Sequence, residues 1–167
     1  LLACLENPAD GGESIAVDGF SAVQILRQES RHHFDLLSRH NVDFEFSGDG
    51  NTCLRSNRPM IELGVDGELR QLRFNSRSIA PLVTIPYEEM NQYYSAYRHL
   101  ARIINRSELQ VEFRLAPGDL FIVDNTRVLH ARKAFSGTGS RWLQGCYADR
   151  DGLLSTLRIL QRKHQLA

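Results

Sequence analysis

No run of apolar residues in this chain approaches the roughly eighteen needed to cross a bilayer, and its start shows no signal-peptide pattern. A membrane span is therefore not expected, and a cytoplasmic address is. Cysteine is scarce: Cys4, Cys53 and Cys146 are odd in number, widely separated and without zinc-ligand spacing. That argues against a disulfide framework and predicts small buried hydrophobes in a reducing compartment. An excess of charge of one sign is missing too. Twenty basic residues balance twenty acidic ones, so the basic footprint that nucleic-acid binding depends on is absent. Repeats, linkers and low-complexity tracts are lacking as well. What remains is an ordinary globular composition, 42% hydrophobic and 24% charged, over 167 residues. That is one domain's worth of chain.

The apolar pattern reads as strands interrupted by two helical insertions. Leu1 to Leu5 and Ser14 to Val17 are short strands flanking the Asp10-Gly11-Gly12 turn. Asp18 is placed to cap a helix beginning near Phe20, and Gln24 to His40 reads as helical. Val42 to Phe46 alternates as a strand, and Ser47 to Asn51 is turn chemistry. Pro59 to Leu63 and Leu69 to Phe74 form a strand pair around Asp66-Gly67, a strong hairpin signal. From Tyr87 to Asn105 the stripe Met90, Tyr94, Tyr97, Ala101, Ile104 has helical spacing. Asp151 to Leu160 is a final short helix with Leu153, Leu154, Leu157 and Leu160 as its apolar face. The order implies a β-rich α+β fold.

The most informative stretch is Leu115 to Asp151, LAPGDLFIVDNTRVLHARKAFSGTGSRWLQGCYADRD. Pro117-Gly118 launches a strand interior, Leu120 to Val123, and Asp124-Asn125 closes it. Val128-Leu129-His130 resumes the run, Ser136 to Gly139 is a flexible loop, and Trp142 to Tyr147 returns as a second strand. A hairpin of this kind can bring His130 and Arg141 to one face of a sheet. It would offer one metal ligand and one fixed cation for a carboxylate.

This stretch resembles the C-terminal part of the iron(II)- and 2-oxoglutarate-dependent dioxygenases of the taurine dioxygenase superfamily. Within it, the likeness is greatest to the γ-butyrobetaine and trimethyllysine hydroxylases of carnitine biosynthesis. VLHARKAF followed by SRWLQGCYADRD carries the resemblance. LLACLENPADGGESIAVDGF, LRFNSRS and the helical segment after Pro86 follow in the family's order. The resemblance implies a double-stranded β-helix, or jelly-roll, with helical insertions packed on one sheet. It implies Fe(II), 2-oxoglutarate as cosubstrate, O2, and ascorbate as reductant.

The same resemblance assigns roles. His130 would be the distal imidazole of a facial triad. Arg141 would fork onto the far carboxylate of 2-oxoglutarate, a bidentate contact that lysine cannot reproduce. Tyr147 would be one wall of an aromatic cage for a trimethylammonium head. Asn75, in Phe74-Asn75-Ser76, would donate to a substrate carboxylate; the residue itself reads equally well as a turn asparagine. The family's other two ligands, a His-x-Asp pair, lie upstream of the segment matching LLACLEN. Residues 1–167 are therefore expected to be the C-terminal part of a single catalytic domain, incomplete at its N-terminus and inactive alone.

His33-Phe34-Asp35 fits His-x-Asp literally but falls in a helical segment, where residues two apart do not face each other. It is read as a decoy. His32, His40, His99 and His164 read as surface residues, and Cys146 as packing on the face opposite Tyr147. The expected activity is hydroxylation of a small trimethylammonium compound, γ-butyrobetaine first. Trimethyllysine, a sulfonate or another small carboxylate are alternative substrates, and a degenerate, non-catalytic jelly-roll binding module is the alternative from another class. The expected partner is a small molecule, with neither nucleic acid nor membrane; a homodimer is compatible with this.

Overall fold

Asp18 decides where the first helix begins. Its carboxylate accepts a hydrogen bond from the Phe20 backbone N–H at 3.0 Å, supplying a partner to one of the donors that a helix start leaves unpaired. The computed structural model describes residues 1–8, 10–48, 51–75, 77–136 and 140–165. In chain order the elements are β1 (Leu2–Glu6), β2 (Asp10–Gly11), β3 (Ser14–Asp18), α1 (Gly19–Glu29), α2 (Arg31–Arg39) and β4 (Asn41–Ser47). Then come β5 (Cys53–Pro59), β6 (Ile61–Leu63), β7 (Leu69–Leu72), α3 (Tyr87–Ile104) and β8 (Gln110–Phe113). The chain continues with β9 (Leu120–Phe121), β10 (Val128–Arg132), β11 (Phe135–Ser136), β12 (Trp142–Gly145) and α4 (Arg150–Gln165). It divides into two compact units, Leu1–Gly12 with Arg114–Val123 and Ala134–Ala167, and Glu13–Phe113 with Asp124–Lys133.

The larger unit holds the three-stranded antiparallel sheet β10-β3-β8 and the hairpins β4-β5 and β6-β7. Its core is helical. Ala22, Val23 and Leu26 of α1, Phe34, Leu36 and Leu37 of α2, and Tyr93, Ala96, Leu100 and Ile103 of α3 are all buried, joined by Val42, Met60, Ile61 and Leu72. Gly19 is required by crowding: a Cβ there would stand 2.5 Å from the Arg127 carbonyl oxygen. Gly67 turns the β6-β7 hairpin at φ 77°, where other residues are strained.

The helical run expected from Gln24 to His40 is two helices. Ser30 breaks it: its N–H bonds the Leu26 carbonyl at 2.8 Å to end α1, while its hydroxyl accepts from His33 N at 3.2 Å to start α2. One serine is thus a stop and a cap at once. Strand β5 was not legible in sequence, because Cys53-Leu54-Arg55-Ser56-Asn57-Arg58 shows no apolar alternation. It pairs with β4 residue for residue, Asn41 with Pro59 through Ser47 with Cys53. Pro59 therefore closes β5 instead of opening the next strand.

The stripe expected on α3 is rotated by about one residue. Tyr94 is exposed, and the fully buried positions are Tyr93, Ala96, Leu100 and Ile103. Met90 and Tyr97 only pack against that core from its edge, Tyr97 stacking on Phe74 at 5.0 Å between ring centroids. The two stripes share the helical period, so aromatic bulk misdirected the choice. Tyr93 is carried in whole, and its hydroxyl has no hydrogen-bond partner among the described residues.

In the smaller unit β1 lies between β12 and β9, both antiparallel, and β11 pairs with β2. The expected strand interior Leu120 to Val123 is only Leu120–Phe121, since β9 meets β1 at two positions before the chain turns. Leu120 and Ile122 are exposed. The expected hairpin between His130 and Arg141 is not formed, because β10 pairs with β3 and β12 with β1. Helix α4 is longer than anticipated, and Leu153, Leu157 and Leu160 of its apolar face are exposed. Cys4 is buried as expected, but Cys53 and Cys146 are exposed: β5 is the outer strand of a two-stranded pair, and Cys146 follows the end of β12. Asp49 and Gly50 of the expected turn, and residues 137–139 of the expected loop, lie outside the described residues.

Two stability predictions follow from these contacts. Asp18→Ala should lose about 1–2 kcal/mol in urea unfolding, the cap plus part of an exposed ion pair with Arg127. Asp18→Asn, which keeps an acceptor, should lose less than half of that. The carboxyl is held at about 2 against an ordinary 3.8, chiefly by the Arg127 hydrogen bond. Its charge-dependent stabilisation is thus present above pH 3.8 and lost as pH falls towards 2. Tyr93→Phe should be neutral or stabilising by about 1 kcal/mol, since it deletes an unpaired buried hydroxyl and keeps the ring. A loss above about 1 kcal/mol would show that the hydroxyl is satisfied in solution.

Candidate functional site

His130 sits in the middle of β10, opposite Ala16 of β3. Side chains alternate across a strand, and the half-buried Leu129 packs against the helical core of its unit. His130 therefore faces away from that core and is exposed. The strand ladder fixes the main chain that carries this exposed imidazole. Arg127, three residues earlier, locks the turn before β10. Its guanidinium reaches Asp18 through Nε at 3.0 Å and Nη2 at 2.6 Å. Its carbonyl accepts from Gly19 N at 2.9 Å.

Asn75 belongs to the same unit, just past β7. It is exposed, and its Oδ1 accepts from the Arg77 backbone N–H at 2.8 Å, an Asx turn. The turn half of the two readings is thus met, while the amide nitrogen is not used by that bond. Two residues on begins a cleft of about 340 Å³ lined by Glu45, Phe46, Arg77, Ser78, Ile79 and Pro81. Glu45 on its wall is held by Arg55 at 2.8 Å, so its charge is already matched.

Arg141 and Tyr147 flank β12 in the smaller unit. Trp142, next to Arg141, registers against Glu6 of β1. The guanidinium of Arg141 is half-buried, with Nε and Nη1 out of reach of solvent. That is the setting in which a planar fork gains most from a carboxylate. Asp149 accepts from the backbone N–H groups of Asp151 at 3.2 Å and Gly152 at 2.9 Å and so caps α4. Tyr147 is 89% exposed. Cys146 is tied to the chain start through its backbone, N–H to the Leu1 carbonyl at 3.1 Å.

Among the described residues no group of three His, Cys, Asp or Glu side chains converges on a metal position. In the literal His-x-Asp of α2 the two side chains take different partners. His33 Nδ1 meets His99 Nδ1 at 2.9 Å, and Asp35 accepts from Arg31 Nε at 2.8 Å. His32 and His164 are exposed as expected, but His40 and His99 are not plain surface residues. Both imidazoles are 16% exposed and each meets a glutamate, Glu89 at 2.5 Å and Glu29 at 2.9 Å. His33 and His99 are far apart in sequence, and no local spacing signals their contact.

Residues 1–147 match the family described as taurine catabolism dioxygenase TauD, TfdA. The chain belongs to that family. It is 40% identical over 162 residues to the γ-butyrobetaine dioxygenase of Pseudomonas sp. (strain AK-1), covering 96% of this chain and 42% of that protein. To the mitochondrial trimethyllysine dioxygenase of Rattus norvegicus it is 37% identical over 164 residues, 94% of this chain and 38% of the other. The chain thus spans about two fifths of the length of these curated relatives. Among solved structures, asparagine oxygenase in complex with Fe(II), 3-hydroxyasparagine and succinate superposes with a TM-score of 0.60 at 22% identity, over 85% of this chain and 42% of that one. The fold of this TauD-family chain is accordingly that of the oxygenases, β-rich α+β, as its sequence led one to expect. No helix among its described residues is long and apolar enough to cross a membrane.

Proposed function

We propose that this TauD-family chain is the C-terminal part of an Fe(II)- and 2-oxoglutarate-dependent dioxygenase that hydroxylates a small trimethylammonium compound, with γ-butyrobetaine the first choice and carnitine its product. The observation that carries the proposal is the likeness, along 94–96% of the chain, to proteins named γ-butyrobetaine dioxygenase and trimethyllysine dioxygenase. Identities to the two kinds of relative overlap, 34–40% for the first and 35–37% for the second, and the 40% figure is what supports putting γ-butyrobetaine first.

His130 would contribute one imidazole to the iron, and two further ligands, the His-x-Asp pair, would come from outside this segment. The donor chemistry of His130 fits: an exposed imidazole on a rigid strand, one of the two histidines a facial triad needs. When bound, iron supplies oxygen activation coupled to decarboxylation of 2-oxoglutarate; the polypeptide supplies binding, orientation and shielding. Arg141 would hold the remote carboxylate through two parallel N–H donors. That fixes the cosubstrate's rotation as well as its place. Tyr147 would bind the cationic head through its ring face, far from the carbon to be hydroxylated. Such remote binding is what restricts reaction to one C–H bond. Asn75, with its amide nitrogen left over from the Asx turn, would donate to the substrate carboxylate.

Two measurements test this, both in a polypeptide that joins the segment to a His-x-Asp pair. γ-Butyrobetaine should drive succinate formation there, and Arg141→Ala should raise the apparent Kd for 2-oxoglutarate about thirty-fold or more, with Arg141→Lys recovering part. Unchanged 2-oxoglutarate affinity in the alanine variant removes Arg141 from the site. Tyr147→Leu should leave 2-oxoglutarate binding nearly intact and weaken γ-butyrobetaine by about 0.5–2 kcal/mol. A neutral tert-butyl isostere should lose less. Equal losses for the charged and neutral ligands would mean that Tyr147 only packs, and would reopen the substrate class.

A further inference from the structure

Helices α2 and α3 meet through two imidazoles. His33 Nδ1 and His99 Nδ1 stand 2.9 Å apart, the rings edge to face with centroids at 5.1 Å. A contact of that length between ring nitrogens needs one proton between them: one nitrogen donates and the other accepts. The remaining bonds restrict the choice. His99 Nε2 lies 2.9 Å from Glu29 Oε2. Arg106 holds the same carboxylate through a hydrogen bond at 2.9 Å and an ion-pair contact at 2.8 Å. Those bonds, Arg106 first and His99 second, keep the Glu29 carboxyl at about 2. Glu29 is therefore ionised throughout the range in which histidine titrates, and a carboxylate can only accept. His99 Nε2 must carry a proton.

Counting protons then gives three states. With none added, His99 Nδ1 is bare and accepts from His33 Nδ1–H. With one added, the pair shares a single positive charge, which Glu29 balances, and one proton still lies between the rings. With two added, both Nδ1 atoms carry protons and point them at each other across a hydrogen-bond distance. The rings must then part. We propose that His33 and His99 form a proton-operated clasp between α2 and α3, closed with up to one added proton and opened by the second.

The surroundings work in the same direction. Facing the pair are Glu29 from α1, His32 from α2, and Arg102 from α3, with Arg106 just beyond the end of α3. Glu29 is the one anion in that set and Arg106 already engages it. His32 Nε2 is bound to Gln92 Oε1 at 2.9 Å. Burial above all, then the charges of His99, His32 and Arg102, pushes the His33 imidazole below its ordinary 6.5. A histidine depressed in the folded state contributes stability that is whole above pH 6.5 and drains away as pH falls below it. The other end of α2 is pinned independently, His40 and Arg39 both meeting Glu89 of α3, at 2.5 and 2.8 Å. Opening should therefore be confined to the first turns of α2, over Phe34 and Leu37. A metal-binding pair would need a third ligand, and among the described residues no His, Cys, Asp or Glu completes a set with these two.

Imidazole NMR titration of the intact 167-residue chain tests the clasp. His33 should titrate below 6.5, and in His99→Gln it should rise part of the way back, because glutamine removes the facing charge while the burial remains. Amide protection, taken relative to the intrinsic exchange rate at each pH, should fall at least tenfold more at Phe34 to Leu37 than at Ala96 to Leu100 between pH 7.5 and pH 5. In His33→Gln that difference should vanish. His33 titrating at or above 6.5 in the native chain overturns the proposal, and so does a uniform loss of protection across both helices. The native titration decides alone if either variant fails to fold. A rise in Tm on adding Zn2+, lost in His33→Gln, would make the pair a metal site and would equally overturn the proton reading.

Discussion

The larger unit depends on one ion pair between residues far apart in the chain. Asp18 closes the central strand β3 and opens α1, and Arg127 sits at the turn that feeds β10. The fork from Arg127 to Asp18 and the bond from Gly19 N to the Arg127 carbonyl make the helix start and the strand start a single piece. Neither works without the other: the helix needs an acceptor at its first turn, and the turn needs its guanidinium held. Because β10 carries His130, the position of the candidate ligand is set by a carboxylate that performs no chemistry. The pair is about half exposed, so its Coulomb energy is modest. Its value is geometric, fixing register where a glycine admits the closest approach.

How much of this was legible depended on whether the signal was local. Asp18 as cap and Asp66-Gly67 as hairpin turn could be read because each acts within a few residues. The helix after Pro86 was equally plain, although its buried stripe was not. Two stripes one residue apart have the same period, and only tertiary packing tells which one turns inward. The polar strand β5 was invisible for a related reason. What makes it a strand is the backbone of β4, and hydrogen bonds between main chains leave no mark on side-chain pattern. Ser30 hides a helix break because a serine within a helical period is unremarkable until its φ is known.

The candidate site shows the same division. His130, Arg141 and Tyr147 come from one stretch of sequence, and their surroundings are an exposed imidazole on a paired strand, a half-buried guanidinium and an exposed aromatic ring. The inferred hairpin was wrong, since two strands neighbouring in sequence took partners from the beginning of the chain instead. In a jelly-roll connectivity, successive strands pass to different sheets, so sequence proximity is poor guidance to pairing. The family likeness is what proposes these residues, and the hairpin expected between His130 and Arg141 is replaced by pairing with β3 and β1.

On the roles proposed above, the cosubstrate clamp and the head-group clamp would ride on one short strand, with Arg141 just before β12 and Tyr147 two residues after it. At about 3.3 Å per residue, the six steps from Arg141 to Tyr147 span up to roughly 20 Å, more than the length of one small ligand. Changes in β12 register would move both clamps together, by the same step, and leave their spacing intact. Changes at Tyr147 alone would alter which head group is held while leaving the carboxylate fork in place. On those proposed roles, substrate choice would diverge at the exposed aromatic end. The half-buried guanidinium cannot be exchanged so freely, because an unsatisfied buried charge is costly in either partner. The difference in burial between the two residues predicts which of them is open to change.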